Sequence, residues 1–428
     1  MKFITTAFLL LILSIGLSAQ NPFITVEDGK FVLDEKPYYF IGTNLWFGMW
    51  LGSAGAAGDR ERLVRELDRL QALGVNNLRV TAGSEGPVDA PWRVQPAVQY
   101  EAKKYDETLL EGLDFLLAEM DKRGMKAVLV LNNFFQWSGG MAQYVSWATG
   151  EPIPYPHLEG HSWDEFQQFS AQFYSNKKAQ QISKKFMKKL LRRRNSVSGI
   201  QYREDPTIMA WQLANEPRGF GQVPAYLEWA DKTAGVIQRK DKNHLVSLGG
   251  EGKTSAESTG TDFENVSKSK NLDYLTAHLW AENWSWYAPD QPETFEQALV
   301  NSLAYLNDHI AIAGKLGKPL VFEEFGVSRD GRDYDPEAPT ILRDQYYTFF
   351  FDVLLQNIST GSAFMGCNFW SWAGEGRPKE PGAFWKKGDP LIGDPPHESQ
   401  GWYSVYEKDE STIEIIKNYA QKIKQESE

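Results

Sequence analysis

Short apolar runs rich in β-branched residues alternate with longer stretches in which apolar residues recur at helical spacing. A run of the first kind predicts a buried strand, and the longer pattern predicts an amphipathic helix. The runs predict eight strands, at Tyr38–Trp46, Asn76–Ala82, Ala127–Asn133, Thr207–Asn215, His244–Gly249, Tyr274–Trp280, Leu320–Phe325 and Ser362–Trp370. The longer stretches predict helices at Asp59–Leu73, Tyr105–Arg123, Trp163–Arg194, Pro224–Arg239, Thr294–Ala313, Thr340–Asn357 and Ser411–Lys424.

Strands that alternate with helices in this order favour parallel strands joined by right-handed crossovers. Eight such units predict an α/β fold, a (β/α)8 TIM barrel in a single domain with elaborated loops at its C-terminal face. Phe23–Leu33 predicts a short hairpin before the first strand, placed to cover the lower mouth of the barrel. The alternative, an open doubly wound sheet, usually carries a glycine-rich phosphate turn after its first strand. The segment from Gly42 to Trp50 holds no such turn, which favours the barrel.

The N-terminal segment has the pattern of a signal peptide. Residues 1–20 hold one lysine, a short apolar run and then Ser18, Ala19 and Gln20. The run is short for a membrane span and ends in small residues. We therefore expect residues 1–19 to be cleaved and residues 20–428 to form the catalytic domain. This predicts a secreted protein, extracellular or periplasmic, with no membrane partner after cleavage.

Composition narrows the classes of partner. The chain has 45 basic against 56 acidic residues, which disfavours nucleic acid and fits a neutral ligand. Many of the 15 tryptophans lie in Gly- and Asn-rich segments, where the faces of sugar rings could stack on them. The single cysteine, Cys367, lies in an apolar run and is expected to be a buried structural thiol.

Two strands end in glutamates that would meet at the mouth of a barrel. The fourth strand runs into Glu216 and the seventh into Glu324. In this fold the C-terminal ends of the strands form the active site, and these two strands stand on opposite sides of it. Opposed carboxylates suit glycosidic cleavage, because one protonates the departing oxygen while the other attacks the anomeric carbon. Glu323 precedes Glu324, and strand alternation predicts that only one of the two points into the mouth.

These motifs resemble glycoside hydrolase family 5, and the resemblance covers nearly the whole mature chain. Asn215-Glu216-Pro217 is similar to the Asn-Glu-Pro signature of that group of barrels, and Glu324-Phe325-Gly326 to its Glu-Phe-Gly signature. The resemblance implies that Glu216 is the acid/base and Glu324 the nucleophile.

The same resemblance implies roles for residues around the two glutamates. Arg79 matches an arginine near the nucleophile, where a cation favours the ionised carboxylate. Asn215 would bind the 2-hydroxyl of the sugar being cleaved. His278 matches a histidine at the end of the sixth strand, and Trp370 a stacking tryptophan after the eighth. Trp280 stands where the family more often has tyrosine, so it keeps an aromatic wall but lacks the hydroxyl.

Within the family, several loop sequences resemble the β-mannanase branch. The stretches around Trp46, Trp137 and Trp286 carry this likeness, and so does Arg218, which the branch uses on the leaving-group side. Glu251, after the fifth strand, is expected to contact substrate or to support a residue that does. Loops rich in Trp, Asn and Gly are typical of an extended sugar groove.

The sequence therefore predicts an endo-acting β-1,4-mannanase with a retaining mechanism, whose carboxyl groups lie about 5–5.5 Å apart. The six histidines are scattered, so neither a metal nor another cofactor is expected. The expected partner is a polysaccharide, β-mannan, with no nucleic acid, and the protein is expected to be a monomer. Three alternatives stay open: a β-1,4-glucanase, an exo-acting β-mannosidase with a loop that blocks one end of the groove, and a non-catalytic sugar-binding barrel.

Overall fold

The computed structural model describes residues 21–254 and 256–427, and within them eight parallel strands form one sheet. The strands are β1 Phe40–Asn44, β2 Asn77–Thr81, β3 Lys126–Val130, β4 Ile208–Gln212, β5 Leu245–Ser247, β6 Leu275–Leu279, β7 Leu320–Phe325 and β8 Phe364–Phe369. They pair in the order β5-β4-β3-β2-β1-β8-β7-β6. Two backbone hydrogen bonds bridge β5 and β6, from Asp273 N–H to Val246 O and from His278 N–H to Glu251 O, at 2.8 and 3.1 Å. The predicted (β/α)8 barrel is confirmed.

Helices surround the sheet. The bounds of the predicted helices agree with the structure except in one long stretch, and three further helices, at Gly48–Gly52, Gly140–Thr149 and Phe263–Ser267, were not predicted. The described α-helices are α1 Gly48–Gly52, α2 Arg60–Ala72, α3 Glu107–Asp121, α4 Gly140–Thr149, α5 Trp163–Ala171, α6 Lys177–Leu191, α7 Val223–Lys240, α8 Phe263–Ser267, α9 Phe295–Leu316, α10 Ile341–Ser359 and α11 Glu410–Glu426. The single helix predicted at Trp163–Arg194 is two helices. Asn176 separates them because its side chain accepts hydrogen bonds from the backbone of Lys178 and Ala179 and so starts α6.

The predicted N-terminal hairpin covers the lower mouth of the barrel. Thr25–Glu27 pairs antiparallel with Lys30–Leu33. Ile24 and Phe31 are buried in one apolar cluster with inward-facing barrel residues such as Met209. This cluster closes the barrel at the end opposite the catalytic face, as the position of the hairpin before β1 predicted.

A long excursion after β8 folds back over the C-terminal face. We call residues 375–404 the β8 loop. Its conformation depends on Asp394, whose buried carboxylate accepts hydrogen bonds from Gly401 N, Tyr403 N and Ser404 Oγ at 2.8, 2.7 and 2.6 Å. Trp46 fixes the loop to the barrel, since its Nε1 donates to Gly393 O at 2.7 Å. The loop is therefore a defined wall of the catalytic face.

Two predictions on the rest of the chain have different outcomes. Cys367 is buried as predicted, and burial raises the pKa of its thiol well above the usual value. The predicted signal peptide, residues 1–19, lies outside the described residues. No helix in the described part of the chain has both the length and the apolar character needed to cross a membrane.

Candidate active site

The loop after β4 and the end of β7 bring Glu216 and Glu324 together on the catalytic face. One carboxylate oxygen of each and a ring nitrogen of His278 all lie within 4.8 Å of one another. Both side chains are buried, with Glu324 3% exposed. The backbone of Glu216 has φ 48°, a left-handed conformation that costs free energy for a residue other than glycine. Such strain concentrates at functional sites, where the surrounding structure holds it.

His278 lies between the two glutamates. Its Nδ1 is 2.6 Å from Glu216 Oε1 and 3.2 Å from Glu324 Oε2. Burial favours the neutral ring, but the charge of Glu324, the hydrogen bond to Glu216 and the neighbouring carboxylate of Glu323 outweigh it and raise the pKa of His278 well above its usual value. The imidazole is therefore protonated at neutral pH and offsets carboxylate charge at the floor of the site.

Arg79 extends from β2 and holds three polar side chains at once. Its Nη1 contacts Glu324 Oε1, its Nη2 donates to Asn215 Oδ1 at 2.7 Å, and its Nε donates to Gln212 Oε1 at 2.8 Å. The guanidinium is 3% exposed, so it fixes these groups from beneath the site. The structure thus places Arg79 beside Glu324, where the resemblance implied it.

As predicted, only one glutamate of the pair, Glu324, lines the cavity, but Glu323 does not turn to the outer face of the strand as simple alternation would require. It also faces the barrel interior, where both of its carboxylate oxygens accept from Gln212 Nε2 at 2.7 and 2.8 Å. The reason is a register shift between β6 and β7, in which Ala277 pairs with Phe322 but His278 pairs with Glu324. The extra residue is a bulge, which breaks simple alternation. Glu323 lies below the cavity and does not line it.

Above the glutamates is an open cavity of about 590 Å³, in the size range of ligand sites. Eight of the predicted site residues line it: Trp137, Asn215, Glu216, Arg218, Glu251, Trp280, Glu324 and Trp370. Trp280 lacks the hydroxyl of the family tyrosine, but its indole Nε1 donates to Glu216 Oε1 at 3.4 Å. Trp46 and Trp286 do not line the cavity. Trp46 packs behind Trp137 at 5.6 Å between ring centroids, and Trp286 packs on Trp284 at 5.0 Å.

Arg218 and Glu251 form a paired contact on one wall of the cavity. Arg218 Nε and Nη2 donate to the two oxygens of Glu251 at 2.5 and 2.7 Å, and Nη1 donates to Gln167 Oε1 at 2.8 Å. Burial raises the pKa of Glu251, and the charge of Arg218 opposes this shift. The expectation that Glu251 supports a substrate-binding residue fits this geometry, since it orients Arg218.

Further lining residues come from the β8 loop, where none was predicted, and from the stretch around Trp286 after β6, which resembles the β-mannanase branch but in which these residues were not named. These are Asn283, Trp284, Phe384, His397, Glu398, Trp402 and Tyr403. Glu398 Oε2 is buried without a hydrogen-bond partner in the described part of the chain. Burial, and then the charges of Asp394, Glu324 and Glu216, raise the pKa of Glu398 well above its usual value. A carboxyl group in this position could accept a hydrogen bond from a sugar hydroxyl.

Within the described residues, Glu216, His278 and Glu324 are the one group of side chains whose ligand atoms lie close enough to hold a metal ion. The raised pKa of His278 keeps its ring protonated, so a cation would have to displace that proton. The donor set thus fits proton transfer better than metal binding.

The chain is similar to known glycoside hydrolases. It matches the family model described as GH family 5 beta-mannosidase-like over residues 21–428. A family 5 mannosidase from Rhizomucor miehei is 39% identical, with a TM-score of 0.89, covering 96% of this chain and 99% of the other. Mannan endo-1,4-beta-mannosidase 5 of Arabidopsis thaliana is 30% identical over 84% of this chain and 80% of its own length. An endo-1,4-beta-mannanase from Rhizomucor miehei, 21% identical with a TM-score of 0.69, shares the fold.

Proposed function

The chain belongs to glycoside hydrolase family 5, in the group described as beta-mannosidase-like, and from that premise we propose that it hydrolyses β-1,4-mannosidic linkages in mannan, glucomannan or galactomannan. The observation that carries the proposal is the approach of Glu216, His278 and Glu324 to within 4.8 Å beneath a cavity lined with tryptophan. The relatives named mannan endo-1,4-beta-mannosidase support mannan as the substrate and endo action as the first candidate.

The proposed reaction has two displacements at the anomeric carbon. Glu324 attacks that carbon, the bond to the leaving sugar breaks, and Glu216 gives its proton to the leaving oxygen. A water molecule then attacks the same carbon, its proton passes to Glu216, and the carboxylate of Glu324 departs. Each step inverts the carbon, so the product keeps the original configuration.

The separation of the carboxyl groups supports retention. Inverting enzymes need roughly 6.5–9.5 Å between the carboxyl groups, because a water molecule must fit between carboxylate and sugar. One carboxylate oxygen of Glu216 and one of Glu324 lie within 4.8 Å of one another, and this close approach is compatible with direct attack by Glu324.

The neighbouring residues support these roles. Arg79 holds Glu324 from below, so the attacking carboxylate is oriented before substrate binds. The same guanidinium fixes Asn215, whose amide would meet the 2-hydroxyl of the bound sugar. His278 Nδ1 binds Glu216 Oε1 and stabilises it when its proton has left. Trp370 lines the cavity and offers a face for the ring to stack on.

One observation favours a second candidate, exo-acting removal of terminal mannose. The β8 loop lines the cavity and is fixed in place by Trp402 Nε1, which donates to Glu282 at 3.1 Å, and by Tyr403 OH, which donates to Asn283 Oδ1 at 2.6 Å. A rigid loop beside the glutamates would limit how far a polysaccharide chain extends past them. The similarity to a Rhizomucor miehei mannosidase supports the same reading.

The primary test is release of reducing sugar from soluble galactomannan, with carboxymethyl-cellulose in parallel. We expect release from mannan only, and its loss in Glu324→Ala and Glu216→Ala. With p-nitrophenyl β-mannoside, whose leaving group needs little protonation, added azide should rescue both variants with different products. It should give an α-mannosyl azide from Glu324→Ala, where it attacks in place of the missing carboxylate, and a β-mannosyl azide from Glu216→Ala, where it attacks the glycosyl-enzyme without needing a base. Glu323→Gln is the matched control. Activity that survives in Glu324→Ala would contradict the assigned nucleophile, and cleavage of cellulose would contradict the substrate.

Endo and exo action differ in their products. An endo-acting enzyme lowers the viscosity of mannan early and gives mixed oligosaccharides, whereas an exo-acting one gives mannose while viscosity stays high. Chromatography of the early products decides between the two candidates.

We also propose that residues 1–19 are a signal peptide, that the protein is secreted and that it is a monomer. The N-terminal apolar run and its small residues support secretion. N-terminal sequencing of the exported protein and light scattering test these two points.

A further inference from the structure

Two large aromatic side chains stay exposed at the edge of the cavity. Trp163 is 40% exposed and Phe384 is 43% exposed, and both line the cavity. Trp163 is the first residue of α5 and Phe384 belongs to the β8 loop, so distant parts of the chain bring them to one edge. Exposed aromatic surface that adjoins a binding cavity indicates a contact with a ligand.

His157 joins the two rings into one surface. Its centroid lies 5.6 Å from that of Trp163 and 5.4 Å from that of Phe384, and Trp92 packs against it at 5.0 Å. Burial lowers the pKa of His157, so the ring is neutral at neutral pH. We call Trp163, His157 and Phe384 the aromatic rim. Because it carries no charge of its own, the rim suits a neutral ligand.

The rim lies on the same side of the cavity as Glu216. Arg218, two residues after Glu216, places its guanidinium 5.1 Å from the ring centroid of Phe135, and Phe135 lies 6.1 Å from Trp163. Arg218 also donates to Gln167, one turn along α5 from Trp163. An acid/base residue touches the glycosidic oxygen from the side of the departing sugar. The rim therefore lies where the leaving part of the substrate would extend.

We propose that the aromatic rim binds a neutral hexose ring of the leaving-group portion, beyond the sugar that adjoins the cleaved bond. This proposal rests on the proposed function. The C–H face of a pyranose ring packs against the indole of Trp163, and Phe384 bounds it on the other side. The rim thus favours substrates that are long on the leaving-group side.

The test compares two substrates that differ in their leaving groups. p-Nitrophenyl β-mannoside has no sugar on that side, whereas mannopentaose does. In Trp163→Ala we expect the ratio of kcat/KM for mannopentaose to kcat/KM for the nitrophenyl substrate to fall about tenfold, the effect of one lost aromatic contact. Phe384→Ala should lower it less, and Trp163→Phe should restore most of it. Tyr100→Ala is the matched control, since Tyr100 is 39% exposed but does not line the cavity.

Binding separates failure of this proposal from failure of the proposed function. In the hydrolysis-silent Glu324→Ala background, calorimetry with mannopentaose should show about tenfold weaker binding when Trp163→Ala is added. An unchanged ratio in Trp163→Ala together with unchanged binding would overturn the rim proposal even if the native protein cleaves mannan. Inactivity of the native protein on both mannosides would instead contradict the proposed function. The calorimetry would then still show whether the rim binds the oligosaccharide.

Discussion

Replacing His278 with asparagine removes one positive charge from the floor of the site. In the native protein the protonated ring lies 2.6 Å from Glu216 and 3.2 Å from Glu324, and it is 0% exposed. Asparagine can still donate a hydrogen bond but carries no charge. Glu323 and Glu324 would then keep Arg79 as a neighbouring cation, and Glu216 would keep the more distant charge of Arg218. Removing one partner of a buried ion pair costs about 3–5 kcal/mol, and we expect a loss of this size in the free energy of unfolding near pH 6.

The pH dependence of this loss follows from the raised pKa of His278. A histidine has a pKa of about 6.5 in the unfolded chain. A group whose pKa is raised on folding stabilises the native state fully below its unfolded pKa, and this stabilisation is lost as the pH rises through the folded pKa. The difference between the native protein and His278→Asn should therefore be largest near pH 6 and shrink as the pH is raised through the folded pKa.

Urea unfolding followed by tryptophan fluorescence and far-UV circular dichroism measures the difference at each pH. His309→Asn is the matched control, because His309 is also 0% exposed but burial lowers its pKa to about 4. His309 is neutral above about pH 7, so its substitution should cost the same free energy across the upper range. Parallel curves for His278→Asn and the native protein, or a difference that grows with pH, would refute a protonated His278.

Three further outcomes test other parts of the site. Arg218→Lys keeps the charge but loses one of the two hydrogen bonds to Glu251. We expect urea unfolding to show a loss of roughly 1–3 kcal/mol in unfolding free energy, and kinetics to show a higher KM. An unchanged KM would contradict a role of Arg218 in substrate binding. Because the pKa of Glu398 is raised on folding, its carboxyl group destabilises the native state increasingly as the pH rises above about 4.3. The melting temperature of Glu398→Gln should therefore exceed that of the native protein at pH 8 but not at pH 4. Equal melting temperatures at both pH values would contradict the raised pKa. Cys367 should react with a thiol reagent only after unfolding, as mass spectrometry would show, and labelling of the native protein would contradict its burial.

The barrel and the two glutamates could be predicted because both are encoded locally. Each strand is a short apolar run, and the residue that follows a barrel strand reaches the catalytic face whatever the rest of the chain does. The inward position of Glu323, which strand alternation did not predict, has a local cause too, a bulge that depends on how β7 pairs with β6. The break before α6 was missed because apolar residues continue at helical spacing through it, and the capping by Asn176 competes with that pattern.

The β8 loop could not be predicted, because contacts between distant residues fix its conformation. Asp394 folds it through hydrogen bonds to backbone groups within the loop, and these leave no periodic pattern in the sequence. Glu282 fixes it from outside by binding Trp402, which lies 120 residues further along the chain. The two glutamates therefore depend on strand ends of the barrel, whereas the far wall of the cavity depends on a loop that is held by its own contacts. For this reason the two glutamates alone do not separate endo from exo action, and Glu398 and the aromatic rim are the residues at which these specificities should diverge.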